Sequence, residues 1–164
     1  MKEGQPKAIE LSEYRVPDYL IENTELHVDL NEDVSHVTST LKINKNPDSK
    51  SEGSDLVLDG SIAMETLGIK IDGRELLSNE YKIEDDKLTL FGVPAQFELE
   101  TRVAIKPQEN TALEGLYKSG DMFCTQCEAE GFRNITWYLD RPDVMSKYRT
   151  TIQASKTDYP ILLS

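Results

Sequence analysis

The alternation of apolar and polar side chains along this chain constrains its fold more than any other feature. The longest run spans residues 97–105, in which every second residue is Phe97, Leu99, Thr101, Val103 and Ile105. Successive side chains of a β-strand point to opposite faces, so this pattern predicts a strand with one buried and one solvated face. Shorter runs of the same period contain Leu26, Val28 and Leu30; Val37, Leu41 and Ile43; Leu67, Ile69 and Ile71; Tyr81 and Ile83; Leu88 and Leu90; and, weakly, residues 148–154.

Turn-forming residues separate several of these runs. Residues 31–33, 72–73 and 85–86 each lie between two alternating runs and are rich in Asp, Asn or Gly, which indicates three β-hairpins. No window has the sustained spacing of an amphipathic helix, and only residues 61–67 and the stretch after Pro142 offer room for a helical turn. The chain is therefore predicted to be all-β, a β-sandwich or curved sheet of about eight to ten mostly antiparallel strands with little helix.

The length of the chain, 164 residues, favours a single folded domain. Residues 1–13 are charged, contain Gly4 and Pro6 and show no period, so we expect a flexible tail there and a β-rich domain over residues 14–164. The chain ends just after the apolar residues 161–163, with no polar segment to shield them. We therefore expect it to be a truncated piece of a longer polypeptide.

The charge of the chain argues against two classes of partner. With 18 basic and 30 acidic residues the formal net charge is −12, so nucleic acids and anionic membranes are poor partners. No apolar stretch approaches the roughly 18 residues that a membrane span requires, and the amino terminus does not have the pattern of a secretory signal. The two cysteines are too few and too close together to staple the domain, which favours a reducing, cytoplasmic location.

Cys124 and Cys127 have the two-residue spacing of a redox site or a zinc knuckle. A thioredoxin-like site needs a helix after the motif, and structural zinc needs four ligands, whereas the other soft ligands are only His27 and His36. We expect surface histidines and ordinary buried thiols, with metal binding or redox activity as the less favoured alternative. The sequence contains no His-Glu-x-x-His motif, and we predict no metal ligand and no catalytic residue in this chain.

Gln126 and Glu128 are the most informative polar pair. In an extended chain, residues two apart project to the same side, which would place an amide oxygen beside a carboxylate. Two adjacent acceptors, one of them anionic, suit an ammonium group with three donors, as in the capture of a peptide amino terminus. The alternative is that Glu128 forms an internal ion pair with Arg133 or Arg141, and the residues alone leave both interpretations open.

Four blocks of sequence carry a family resemblance. They are YRVPDY at residues 14–19, NTALEGLY at 110–117, CTQCEAEGFR at 124–133 and YLDRPDV at 138–144. In this order and spacing they resemble the amino-terminal domain of the bacterial aminopeptidase N family, the zinc alanyl aminopeptidases of the gluzincin class. Asn134 departs from the family pattern, in which histidine is frequent at this position.

The resemblance implies a function as well as a fold. It implies a saddle-like, β-rich domain that lies against a thermolysin-like catalytic domain of the same polypeptide and forms one wall of its active site. It also implies that Gln126 and Glu128 bind the free α-amino group of peptide substrates, with Cys127 between them. Zinc is then the cofactor of the full-length enzyme, with ligands after residue 164, and this chain alone would be inactive.

Two other functions stay open on the sequence alone. One is a stand-alone β-sandwich binding module without catalytic activity, and the other is a redox or zinc protein that uses Cys124 and Cys127. Coding sequence beyond Ser164 would separate the aminopeptidase from the stand-alone module, because only the former would continue into a His-Glu-x-x-His motif. Metal analysis and thiol titration would detect the redox or zinc protein.

Overall fold

The computed structural model of the protein describes residues 11–163, and it is all-β, as the alternation predicts. Eleven strands lie within these residues: β1 (Tyr19–Asp29), β2 (Ser35–Lys45), β3 (Leu56–Asp59), β4 (Glu65–Ile71), β5 (Arg74–Glu75), β6 (Tyr81–Glu84), β7 (Lys87–Leu90), β8 (Gln96–Ile105), β9 (Gly115–Ser119), β10 (Met122–Gln126) and β11 (Lys147–Gln153). The helical content of the described part is three short 3-10 turns, Leu11–Glu13, Pro107–Glu109 and Phe132–Asn134. No helix within residues 11–163 has the length and apolar character needed to cross a bilayer.

The strands form two sheets and a separate hairpin. The larger sheet has the order β11-β1-β2-β8-β4-β5, the smaller one has the order β3-β7-β6, and β9 pairs with β10. Every pair is antiparallel except β1 with β11, which run parallel. The mostly antiparallel arrangement predicted from the sequence is confirmed, and the parallel strand follows from the long connection that returns β11 to the edge beside β1.

The three predicted hairpins are confirmed. Strands β1 and β2 flank residues 31–33, β4 and β5 flank residues 72–73, and β6 and β7 flank residues 85–86. Asp72 and Gly73 have φ angles of 49° and 77°, and Asp85 has a φ of 50°. Positive φ at the central turn residues matches the right-handed twist of the flanking strands, which is why Asp and Gly mark these turns in the sequence.

The alternation fails at one residue, Leu67. We expected Leu67 to share a face with Ile69 and Ile71, but Leu67 is 43% exposed whereas Ile69 is 2% exposed. The register of β4 against β8 shifts between Thr66 and Gly68, so an extra residue is inserted there. A bulge of this kind reverses the parity of the residues on one side of it, which turns the Leu67 side chain toward solvent.

The hydrophobic core takes buried side chains from both sheets and includes Trp137. The side chains that alternate along β8 are all buried, as the sequence predicts, and Leu56, Leu58, Leu88 and Leu90 of the smaller sheet are at most 2% exposed. The indole of Trp137 is fully buried, and its Nε1 donates a hydrogen bond of 2.9 Å to Oγ1 of Thr66. The polar atom of the largest core side chain therefore has a partner.

The amino-terminal segment is described only from Leu11. Residues 1–10 of the predicted flexible tail lie outside the described residues, and Leu11–Glu13 forms a 3-10 turn. After this turn the chain is tied to the domain, because the Tyr14 hydroxyl donates to Asp143 at 2.9 Å and Arg141 donates to the Arg15 carbonyl at 2.7 Å. The boundary at residue 14 stays a prediction.

Glu80 gives the fold a predictable acid sensitivity. Arg74 donates two hydrogen bonds of 2.9 Å to its carboxylate, and the Leu77 N–H donates a third at 2.8 Å. These bonds lower the pKa of Glu80 from 4.5 to about 2. The carboxylate therefore stabilises the fold fully above about pH 4.5, and its contribution is lost as the pH falls through about 2.

Urea unfolding of the wild type and of Glu80→Gln measures this contribution. The wild type is expected to be the more stable at neutral pH, and the gap between the two proteins is expected to shrink as the pH approaches 2. A gap of the same size at both pH values would contradict the assignment to Glu80.

Candidate functional site

Gln126 is the last residue of strand β10, in the β9–β10 hairpin. The last cross-strand pair of this hairpin joins Gln126 to Gly115, and the chain enters a turn at residue 128. The extended conformation assumed for residues 126–128 is therefore wrong, and strand parity does not place Glu128. The turn places it instead, with Cys127 half-buried and Gln126 and Glu128 exposed on either side of it.

Gln126 and Glu128 are joined by a local hydrogen bond. The backbone N–H of Glu128 donates to Oε1 of Gln126 at 3.3 Å. An amide oxygen has two lone pairs, so this bond fixes the Gln126 side chain and leaves capacity for another donor. The structure thus keeps an amide oxygen next to the residue that carries a carboxylate, although by a turn rather than by an extended strand.

The two arginines considered as internal partners of Glu128 both pair elsewhere. Nε of Arg133 lies 2.9 Å from Oδ2 of Asp140, and Nη2 of Arg141 lies 2.7 Å from Oδ2 of Asp143. Within residues 11–163, Glu128 forms no salt bridge. The exposed carboxylate is therefore free to accept a cation from outside the domain.

Cys124 and Cys127 are free thiols, and both are half-buried rather than fully buried as expected. Burial, helped by the negative charge of Asp140, raises the pKa of Cys127 above its ordinary value. A raised pKa keeps the thiol protonated and lowers its reactivity. His27 is exposed on β1 and His36 is half-buried on β2. Across the described range no three His, Cys, Asp or Glu side chains come together in a group that would hold a metal ion.

Two glycines let the site turn pack closely on the hairpin. A Cβ atom at Gly131 would lie 2.6 Å from the Gln126 carbonyl oxygen and 2.8 Å from Cα of Cys127. Gly115 has a φ of 75°, and a Cβ there would lie 2.7 Å from Cβ of Asn134. The sequence argument missed this role of Gly131, whose only signal was the glycine inside the CTQCEAEGFR block.

An apolar groove lies beside this turn and does not include Gln126 or Glu128. It has a volume of about 830 Å³, and its lining includes Phe123, Cys127, Phe132, Tyr148 and Ile152. Neither Gln126 nor Glu128 lines it. Cys127 therefore faces the apolar groove while its two neighbours lie outside it.

The chain as a whole belongs to a known family of domains. The family model of the peptidase M1 N-terminal domain matches residues 20–164, so the chain belongs to that family. It is 42% identical over 164 residues to aminopeptidase N of Caulobacter vibrioides and 41% identical over 164 residues to aminopeptidase N of Escherichia coli. These alignments cover 100% and 98% of the chain, and the chain spans 18% of the length of each relative.

The solved structures agree with this assignment. The crystal structure of Legionella pneumophila aminopeptidase A in complex with aspartic acid superposes with a TM-score of 0.87 at 33% identity, over 94% of this chain and 18% of that one. The resemblance to the aminopeptidase N family that the four sequence blocks carry is thereby confirmed. The all-β fold that it implies is also confirmed.

Proposed function

We propose that this chain is the substrate-recognition domain of a zinc aminopeptidase and that Gln126 and Glu128 bind the α-amino group of its peptide substrates. One observation carries the proposal: Glu128 is exposed and has no cation partner among residues 11–163, and its backbone N–H donates to the Gln126 amide oxygen two residues before it. An ammonium ion donates up to three hydrogen bonds and is attracted to an anionic acceptor.

Anchoring the ammonium determines which peptide bond reaches the reacting centre. If the first residue is held at its amino group, only the first peptide bond lies at a fixed distance from the anchor, which is the geometry of an exopeptidase. The attraction between two charges at 4 Å is about 4 kcal/mol at an effective dielectric of 20 but about 1 kcal/mol in bulk water. The anchor therefore needs a second wall that excludes solvent, and we assign that wall to a catalytic domain of the same polypeptide.

Zinc belongs to that catalytic domain in this proposal. The part that we propose for this chain is to bind and orient the peptide. The location that we propose for the enzyme is the cytoplasm. Cell fractionation tests this location, and the coding sequence beyond Ser164 tests the presence of a His-Glu-x-x-His motif.

Glu128→Ala in the polypeptide that carries the catalytic domain tests the anchor. A hydrogen bond to a charged group is worth about 1.5–3 kcal/mol, so kcat/KM on amino-acid amides is expected to fall about 10- to 150-fold. Glu128→Gln, which keeps the shape and removes the charge, is expected to lose a similar factor.

Glu114→Ala is the matched control. Glu114 is exposed and precedes Gly115, the cross-strand partner of Gln126, so the substitution removes the same charge close to the site. Its kcat/KM is expected to equal that of the wild type. If Glu128→Ala kept wild-type kcat/KM, Glu128 would not be the amine anchor.

A further inference from the structure

The next turn of the chain contains a cation, Arg133, that would compete with the substrate ammonium for the Glu128 carboxylate. The turn that holds Glu128 closes with a hydrogen bond of 3.0 Å from the Gly131 N–H to the Cys127 carbonyl, and the 3-10 turn Phe132–Asn134 follows immediately. Arg133 lies in that second turn. Arg133 is the cation nearest in sequence to Glu128, and an ion pair between them would occupy the carboxylate that has to accept the substrate ammonium.

Asp140 holds this guanidinium elsewhere. Its Oδ2 accepts hydrogen bonds from Nε of Arg133 at 2.9 Å and from the backbone N–H of Arg133 at 3.1 Å, and its carbonyl accepts from Nη2 at 2.9 Å. The side chains of Arg133 and Asp140 are 18% and 15% exposed. Three bonds in a mostly buried setting hold the arginine far more firmly than an exposed ion pair would.

Asp140 is itself fixed to the smaller sheet. Its backbone N–H donates to Oδ2 of Asp59 at 3.1 Å, and Oδ1 of Asp59 accepts from Nζ of Lys87 at 2.5 Å. The backbone of Asp59 also exchanges two hydrogen bonds with Tyr138, of 2.7 and 3.0 Å. Asp140 therefore has a defined position relative to β3 and β7, and it transmits that position to Arg133.

The charges around Arg133 agree with this geometry. Burial lowers the pKa of Arg133, but the hydrogen bond to Asp140 and the charges of Asp59, Glu130 and Asp140 outweigh it and hold the pKa above its ordinary value. Glu130 adds a weaker contact, since its carboxylate lies 3.6 Å from Nη2 of Arg133 and is 68% exposed. The acidic groups that hold the guanidinium are thus Asp140 and Glu130, and Glu128 is not among them.

We propose that Asp140 is a positioning residue that holds the Arg133 guanidinium away from Glu128 and so keeps the Glu128 carboxylate available for the substrate ammonium; this rests on the proposed function. Without the Asp140 carboxylate, Arg133 keeps only the bond from Nη2 to the Asp140 carbonyl and the exposed contact with Glu130, so it is free to exchange between Glu130 and Glu128. Only the fraction of molecules in which Glu128 is unpaired then binds substrate, and the apparent affinity falls by that fraction.

The test uses the full-length enzyme and a set of matched variants. Asp140→Asn keeps the size of the side chain and removes its charge. Exposed ion pairs are worth about 0.2–1 kcal/mol, so at the upper part of this range KM for an amino-acid amide is expected to rise about three- to sixfold with little change in kcat. Asp140→Glu keeps the charge and is expected to retain a KM near that of the wild type. The double variant Arg133→Gln with Asp140→Asn lacks the competing cation, so its KM is expected to return toward that of the wild type.

Urea unfolding of each variant is measured beside KM, because the double variant also removes a mostly buried cation that Asp140→Asn leaves without its partner. A KM that returns toward the wild type without a matching return of stability separates positioning from stability. If Asp140→Asn does not fold, Asp59→Ala carries the test, because it removes the acceptor of the Asp140 backbone N–H. Its KM is expected to rise and to return toward that of the wild type when Arg133→Gln is added. A wild-type KM for Asp140→Asn, or a double variant with a KM as high as that of Asp140→Asn, overturns it. Glu128→Ala is measured alongside. If Glu128→Ala has no effect, the proposed function fails and this inference fails with it. If Glu128→Ala is impaired and Asp140→Asn is unaffected, only this inference is overturned.

Discussion

Gly60→Ala is expected to lower the free energy of unfolding by about 3 kcal/mol, the upper part of the range for overpacked cores. A Cβ atom at residue 60 would lie 2.1, 2.3 and 2.7 Å from three carbon atoms of the six-membered ring of Trp137. That ring is rigid and fully buried, and its Nε1 is bonded to Thr66, so it has no free direction in which to move. The backbone of the core has to shift instead.

Urea unfolding of the purified chain measures this loss, and two further variants identify its cause. Gly53→Ala is the matched control, because the nearest atom to a Cβ there is a serine hydroxyl at 3.5 Å, so its stability is expected to equal that of the wild type. Trp137→Phe removes part of the colliding ring. The double variant with Gly60→Ala is therefore expected to be less destabilised than the sum of the two single variants. Strict additivity would mean that the collision with Trp137 is not the cause.

The strands of the two sheets were predictable because burial and sequence period agree in them. The five alternating residues of β8 are buried, and turn chemistry at residues 72–73 and 85–86 fixes where neighbouring strands end. Strand β11 was visible only weakly because it lies at the edge of the sheet with most of its residues exposed, so its side chains carry little of the pattern.

The hairpin that carries the site was not predicted as strands. In β10 the half-buried residues are the neighbours Phe123 and Cys124, so the two-residue period is absent. This hairpin pairs only with itself and does not extend either sheet, and a short two-stranded unit takes its stability from what it packs on rather than from its own alternation. Sequence pattern therefore located Gln126 and Glu128 through their residue types and family resemblance, not through secondary structure.

The sequence alone did not predict that Arg133 pairs with Asp140. Arg133 and Asp140 are seven residues apart, and beyond the 3-10 turn Phe132–Asn134 the segment between them is irregular, so no period brings them together. They meet because Asp59 of β3 holds the backbone of Asp140, which is a contact across 81 positions of the chain. The sequence left both interpretations of Glu128 open because no regular period signals either the Arg133–Asp140 pair or the Arg141–Asp143 pair.

Gly131→Ala is expected to damage the site more than any other conservative change in it. Gly131 has φ −86° and ψ −18°, which any residue adopts, so the effect comes only from the missing space. The added Cβ would meet the Gln126 carbonyl oxygen at 2.6 Å, Cα of Cys127 at 2.8 Å and the Gly115 nitrogen at 3.2 Å. All three are backbone atoms, so relief requires either that the turn moves away from the hairpin or that the pairing of Gln126 with Gly115 opens.

The consequence is expected in stability and, more strongly, in activity. Overpacking of this kind costs about 1–3 kcal/mol in urea unfolding of the chain. A displacement of about 1 Å at a positioning group can reduce the rate about 100-fold, so in the full-length enzyme kcat/KM on amino-acid amides is expected to fall by about that factor. Gly53→Ala again serves as the unaffected control. If Gly131→Ala lost stability while keeping wild-type kcat/KM, the position of Gln126 and Glu128 would not depend on this close approach, because the turn would have absorbed the extra methyl group without moving the anchor.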